Sequence, residues 1–265
     1  MTATGAGLLA GKVVLISGVG PGMGRSLALA HAQQGADVIL AARKQNNLDA
    51  VRGEVEALGR RVVSAPTDVT DRGACAALVA RGIEEFGRLD VLVNNAFRQP
   101  PMASLGDTSI DEWRKAFDVN LFGAVNMTEA ALATMRVQGS GSVVFIASLS
   151  ARRVREQFAV YSATKSALLT TMQHYANEVG RAGIRVNAVV PSYIWGPNLE
   201  SWFALLAEQR GVTPQQVYDD VAKDMALRRI PTADEVAATA MLLSSDFNSA
   251  VTGAALDINA GEWFH

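Results

Sequence analysis

Short, almost unbroken apolar runs alternate with longer stretches of helical periodicity along this chain, and that alternation constrains its fold more than any other feature. Residues 12–17 read Lys-Val-Val-Leu-Ile-Ser. A strand apolar on both faces belongs in a parallel sheet covered on both sides, not in a sheet with one wet face. Similar runs stand at 36–41, 61–65, 89–93, 142–147, 184–190 and 254–258. Helices are predicted at 25–34, 71–86 and 161–180, with another carrying an apolar stripe at Leu48, Val51, Val55 and Leu58 and closed by Gly59. Residues 110–135 are long enough for one extended helix. Strands separated by helices need crossover connections, so the expected fold is α/β, a doubly wound parallel sheet with helices on both faces. No repeat, low-complexity tract or shift in composition divides residues 1–265, which read as a single domain. Residues 191–229 break the rhythm: about 40 residues is too long for a plain connection, and a lid or binding element is expected there.

The first apolar run leads into Ser17-Gly-Val-Gly-Pro-Gly-Met-Gly24. Glycines at that point let the backbone turn tightly and let a pyrophosphate approach the N–H groups of a helix N-terminus. The spacing is Gly18, Gly22, Gly24 rather than Gly-x-Gly-x-x-Gly. A tight turn without a ligand is the plainer reading; the position after the first strand of an α/β pattern favours the phosphate site.

Composition excludes several classes. Twenty-four basic and 26 acidic residues give a net charge of −2, against a nucleic-acid binder that neutralises phosphates along a basic face. No apolar run approaches the roughly 18 residues of a membrane span. Residues 1–11 lack the pattern of a signal peptide. Cys75 is the sole cysteine and no Cys/His cluster suggests zinc. A cytoplasmic protein with no metal, nucleic-acid or membrane partner is expected.

With these features in place, the chain resembles the short-chain dehydrogenase/reductase family over essentially its whole length. The glycine turn has that family's spacing. Asp68-Val69 after the third strand looks like its adenine-contacting pair, and Asn94-Asn95-Ala96 is similar to its Asn-Asn-Ala-Gly motif. Asn120 lies where the family carries a catalytic-site Asn. Ser148 ends the fifth strand, and thirteen residues later comes Tyr161-Ser-Ala-Thr-Lys165, a Tyr-x-x-x-Lys pair in the family's order. The resemblance implies a Rossmann-like domain, a nicotinamide cofactor, a small-molecule substrate and a homo-oligomer, dimer or tetramer. It implies catalytic roles for Asn120, Ser148, Tyr161 and Lys165. It implies cofactor contacts from Gly18, Gly22, Met23, Gly24, Arg43, Asp68, Val69, Asn95, Ala96, Tyr161, Lys165 and Ile194, the last through its backbone.

The chemistry needs these residue types. Tyr161 and Lys165 are four apart on one helix and share a face. A free phenol has a pKa of about 10 and is a poor base near neutrality; lowering it by about three units takes roughly 4 kcal/mol. A neighbouring ammonium and a cationic nicotinamide can supply that in a partly dry site. Tyr161 then exchanges a proton with an alcohol or carbonyl while hydride moves, and Ser148 steadies the substrate oxygen. By resemblance, Lys165 also holds the nicotinamide ribose, and Asn120 fixes a water that relays protons to it. A non-catalytic redox sensor on the same fold is the alternative, but such proteins have usually lost the Tyr or Lys. An enoyl-thioester reductase spaces that pair more widely, and the seventh residue after Tyr161 is Leu168.

Other positions depart from the family pattern or leave alternatives open. Phe97, Ser192, Gly196 and Ala260 replace a Gly, the Gly of a Pro-Gly pair, a carboxamide-contacting Thr and a Gly. Tyr193, Trp195, Trp202, Phe203 and Tyr218 make 191–229 rich in aromatics, either as an apolar lid over substrate or as packing. Arg152, Arg153 and Arg155 suit a solvated or intersubunit face better than an anionic substrate tail. His31 and His174 read as ordinary helix residues, and Trp263 and Phe264 as buried. The second strand ends Ala41-Ala42-Arg43-Lys44 with no carboxylate for a ribose diol, and Asp37 comes too early. A small residue followed by Arg43 suits a 2′-phosphate, so NADP is expected over NAD.

Overall fold

The protein is described by a computed structural model over residues 7–264; the part of the N-terminal reading that concerns residues 1–6 lies outside the described residues. Among the described residues the strands are β1 (Val13–Ser17), β2 (Asp37–Ala42), β3 (Val62–Pro66), β4 (Val91–Asn94), β5 (Gly141–Ile146), β6 (Ile184–Pro191) and β7 (Ala255–Ile258). They form one sheet in the order β3-β2-β1-β4-β5-β6-β7, and every neighbouring pair is parallel. The order reverses between β1 and β4. In open α/β sheets that switch point opens a crevice at the carboxyl edge.

The helices are α1 (Met23–Gln33), α2 (Gln45–Ala57), α3 (Arg72–Phe86), α4 (Ile110–Phe117), α5 (Gly123–Gln138), α6 (Ala159–Val179), α7 (Pro197–Arg210), α8 (Pro214–Ala222) and α9 (Ala233–Ser244). Successive strand residues point to opposite faces. Leu15 of β1 therefore joins Leu92, Phe145, Leu78, Met127 and Met172 in one apolar layer. Val14 and Ile16 join Val38, Val93, Leu27, Leu48 and Val236 in the other. Two covered faces are why the strands are apolar throughout.

Two expectations change. The single helix at 110–135 is two helices joined by a wider turn over Asp118–Phe122, and the second runs on to Gln138. That turn carries Asn120, whose side chain is drawn inward to the backbone of Arg98, with Arg98 N donating at 2.7 Å and Arg98 O accepting at 3.0 Å. A single widened turn of this kind is common at functional positions. The C-terminal expectation fails for Phe264, which is 75 % exposed and joins none of the apolar clusters; Trp263 is half-buried.

Residues 191–229 contain α7 and α8. Each opens with a proline in its first turn, where the missing N–H costs nothing. Thr213 and Gln216 cap α8 reciprocally. The two helices close on a third apolar cluster, built around Phe203, Val217, Met225 and Ile230.

Candidate active site and nucleotide cleft

The glycine turn is fixed against the end of β4. Gly18 has φ +81°, and a Cβ there would lie 2.4 Å from Ala96 Cα. At Gly24 a Cβ would lie 2.5 Å from the Gly18 carbonyl oxygen. Asn95 Nδ2 donates to that same carbonyl at 2.7 Å, and Asn95 N donates to Ser17 Oγ at 3.3 Å. Gly22 differs: a Cβ would meet nothing within 4 Å, and it caps α1 with no side chain of its own. The N-terminus of α1 thus opens beside space that a side chain at Gly22 would fill, which fits an anionic ligand there.

A cleft of about 230 Å³ lies outside the carboxyl ends of β1 to β4. It brings together Gly18, Arg43, Asp68, Val69, Asn95 and Ala96, six of the residues singled out in the sequence. Gly22, Met23 and Gly24 form the adjoining turn of α1, and Ile194 lies beyond β6 against the second apolar layer. Sequence reasoning missed Lys44, Asn47, Phe97 and Val119, which also line the cleft. The signal for Lys44 and Asn47 was their place at the start of α2, directly after β2.

Charge at the cleft's far end is asymmetric. Asp37 stands at the opposite end of β2 from the cleft, held by Arg60 and Arg61 at 2.8 Å each, so it serves the fold. Arg43 and Lys44 are exposed. Asp68 Oδ1 accepts from Thr70 N and Oγ1 at 2.9 and 2.8 Å. Those bonds first, and the nearby Arg43 charge last, hold its carboxyl below the usual carboxylate range.

Ser148, Tyr161 and Lys165 meet at the same carboxyl edge. Ser148 follows β5, caps a short turn by accepting from Ser150 N at 3.2 Å, and stands beside the Tyr161 hydroxyl. Lys165 is buried, its Nζ donating to Ile146 O at 2.7 Å and lying 5.8 Å from the Tyr161 ring centre. Burial pushes the ammonium down to about 8. Burial also pushes the Tyr161 phenol up to about 12, against the opposing pull of the Ser148 bond. The expected depression of Tyr161 is therefore not a property of the protein by itself, because desolvation outweighs the polar contacts. Asn120 Nδ2 donates to Thr164 Oγ1 at 3.1 Å, and Thr164 Oγ1 donates to Tyr161 O at 2.7 Å. The α4–α5 turn is thereby tied to the Tyr161–Lys165 stretch of α6.

The remaining candidates make contacts among themselves and with their neighbours. Trp195 packs edge-on to Tyr218 at 4.7 Å and tilted against Phe203 at 5.8 Å; Tyr193 stacks on Trp202 at 6.3 Å. Arg152 pairs with Asp257 at 2.5 Å, while Arg153 and Arg155 pair with Glu262 at 2.9 and 2.5 Å. Arg152 and Arg155 are half-buried and Arg153 is exposed; all three clasp the C-terminal segment through these pairs. Arg155 also lies 4.4 Å over the Tyr193 ring. His31 is buried between Leu27 O and Ser244 Oγ and pushed down to about 4 by burial. Among the described residues, no three His, Cys, Asp or Glu side chains gather as a metal group, and no helix is long and apolar enough to cross a membrane.

A doubly wound sheet, a phosphate-type turn at its switch point and a Ser–Tyr–Lys group on the same edge define a dinucleotide-dependent oxidoreductase. Known proteins agree. A family model described as Enoyl-(Acyl carrier protein) reductase matches residues 18–262. L-rhamnose 1-dehydrogenase (NAD(P)(+)) of Sphingomonas sp. (strain SKA58) is 35% identical over 258 residues, covering 96% of this chain and 97% of that one. The 3-oxoacyl-[acyl-carrier-protein] reductase FabG of Thermotoga maritima is 32% identical over 255 residues, covering 96% and 98%. The crystal structure of carveol dehydrogenase from Mycobacterium avium in complex with NAD superposes with a TM-score of 0.92 at 29% identity, covering 97% and 99%. The chain belongs to the short-chain dehydrogenase/reductase family and is an oxidoreductase. The substrates in those names differ, so the family fixes the class of reaction and not the substrate.

Proposed function

We propose that this protein transfers hydride between a nicotinamide dinucleotide, NADP in preference to NAD, and a secondary alcohol or its ketone of apolar or cyclic character. The observation that carries the reading is the Tyr161 hydroxyl beside Ser148, with Lys165 one turn further along α6 and its Nζ 5.8 Å from the Tyr161 ring centre. The dinucleotide would be held by Gly18, Gly22, Met23 and Gly24 at the turn, by Arg43, Asp68 and Val69 at one end, and by Asn95, Ala96, Tyr161, Lys165 and Ile194 toward the other. When bound, it supplies the hydride or accepts it. Ser148 holds the substrate oxygen and stabilises its developing charge. Tyr161 donates its proton to that oxygen in reduction and takes it back in oxidation. A phenol near 12 is protonated at neutrality, which is the form reduction requires. Oxidation requires positive charge nearby to bring it down, and Lys165 is placed to supply it. Asn120, tied through Thr164 to the neighbour of Lys165, fixes the water that relays protons to Lys165.

The preference for NADP rests on the end of β2, where Ala42 leaves room and Arg43 offers a planar cation at the cleft. The Tyr-to-Lys spacing of four supports carbonyl chemistry over an enoyl substrate. A homo-oligomer in the cytoplasm completes the reading, supported by Leu256 and Phe264, apolar and exposed at the β7 edge. The experiment is to follow absorbance at 340 nm with both cofactors and a panel of cyclic and aliphatic alcohols and ketones, in wild type and Arg43→Ala. A higher kcat/KM with NADP is expected, and a loss of about tenfold or more with NADP in the variant, the worth of one charge-assisted contact at about 1.5–3 kcal/mol. A wild type that prefers NAD, or unchanged NADP kinetics in the variant, overturns the preference. No turnover with either cofactor overturns the enzyme reading.

A further inference from the structure

Phe97 is an apolar ring that the fold leaves half in water at the wall of the cleft. It is 51 % exposed and joins none of the three apolar clusters. A single exposed apolar side chain is ordinary, but this one has its backbone pinned on both sides. Ala96 lies so close to Gly18 that no Cβ fits between them. Arg98 exchanges two hydrogen bonds with Asn120, at 2.7 and 3.0 Å. The ring therefore stands at a fixed point between the glycine turn and the turn that carries Asn120, and Val119 lines the same cleft.

We propose that Phe97 is a retaining side chain for the bound dinucleotide, its ring covering the ligand between the glycine turn and the Ser148–Tyr161–Lys165 group. This rests on the dinucleotide reading given above. An apolar ring offers nothing to a phosphate charge, so its match is the C–H face of a ribose or the face of a base. Covering that surface removes apolar area of both partners from water and slows departure more than arrival, since affinity differences within one site fall mainly on the dissociation rate. A glycine at this position, the residue the family pattern has there, supplies no such cover. Phe97 thus makes cofactor retention a property of this chain's own sequence.

The test is stopped-flow fluorescence of NADPH binding and release, repeated with NADH, in wild type, Phe97→Ala and Phe97→Leu. Phe97→Ala is expected to raise koff and Kd by about tenfold with kon within about twofold. Phe97→Leu, which keeps much of the apolar area, should recover more than half of that loss on a logarithmic scale. The melting temperature of the cofactor-free protein should be the same in all three, because the ring is outside the core. Wild-type Kd and koff in Phe97→Ala overturn the proposal. So does a raised KM for the ketone with an unmoved cofactor Kd, which would place the ring on the substrate side. A wild type that binds neither NADPH nor NADH sinks the dinucleotide reading itself, a result separate from either of these.

Discussion

The catalytic edge and the α7–α8 arm are held together by different means. Ser148, Tyr161 and Lys165 sit on a strand end and a long helix that belong to the sheet's own apolar layers; Leu168 and Met172, on the same helix as Tyr161, are part of one of them. The arm has a separate cluster around Phe203, Val217, Met225 and Ile230 that shares no residue with either layer. Its ties to the rest of the fold are local: Ser192 N donates to Ile258 O of β7 at 3.3 Å, Trp195 N to Pro231 O at 2.7 Å, Leu227 N and Ala226 N to Ala260 O and Gly261 O at 3.0 and 3.3 Å, and Arg155 covers Tyr193. Ser148, Tyr161 and Lys165 thus rest on a scaffold whose packing cannot be changed piecemeal, whereas the arm rests on a small cluster that can. Variants on the two sides should separate kcat from KM.

The sharpest separation is expected from Tyr161→Phe. The substitution keeps the ring, which packs edge-on to Phe158 at 6.4 Å, and removes only the hydroxyl beside Ser148. Turnover should fall by at least about 10²-fold, the low end for loss of a general acid or base. Cofactor Kd and melting temperature should stay near wild type. Near-wild-type turnover on the true substrate would remove Tyr161 from proton transfer and dissolve the catalytic side of the comparison.

Phe203→Ala probes the arm. Phe203 is among the largest fully buried side chains, and deleting a buried Phe ring typically costs about 3–5 kcal/mol. If the cluster is a unit of its own, that cost falls on α7 and α8. Amide exchange over 197–222 should accelerate while β1, β4 and β5 keep their protection. KM for the ketone should rise by about tenfold or more, with cofactor Kd unchanged. Equal loss of protection in the strands would show that arm and sheet are one cooperative body.

How much of this was legible beforehand follows the same divide. The strand runs were readable because both faces of the sheet are covered, so every strand residue carries the signal. Ser148, Tyr161 and Lys165 were readable because one strand end and one helix turn fix their spacing locally. The break at Asn120 was not: the widened turn depends on Arg98, 22 residues away and on no predicted element. The ion pairs of the arginines at 152, 153 and 155 were not readable because their partners, Asp257 and Glu262, lie about a hundred residues away in sequence. The helices of the arm carried local signals, Pro197, the Thr213–Gln216 cap and Gly211, but no apolar stripe facing the sheet, since their apolar residues face each other. Tyr161's raised pKa was hidden because burial is a property of the assembled site.

The smallest effect separates the two roles left open for the arm's aromatics, lid and packing. Trp195 is half-buried; its ring meets Tyr218 and Phe203, and its backbone is fixed to Pro231. Backbone anchoring keeps the residue in place whatever its side chain, so Trp195→Ala removes ring contacts without unhooking the arm from the sheet. Aromatic pairs contribute about 0.5–1.5 kcal/mol beyond their area, so a part of the ring surface turned toward substrate is worth a KM change of about fivefold for a bulky apolar ketone. The expected result is that rise in KM, with kcat and cofactor Kd each within about twofold. A matched rise in KM and in cofactor Kd would assign Trp195 to packing alone, since loosening the arm as a whole has no reason to spare one ligand. A wild type that favours two- or three-carbon alcohols over larger ones would end the apolar-lid reading outright, because such substrates leave an aromatic wall of this size with nothing to cover.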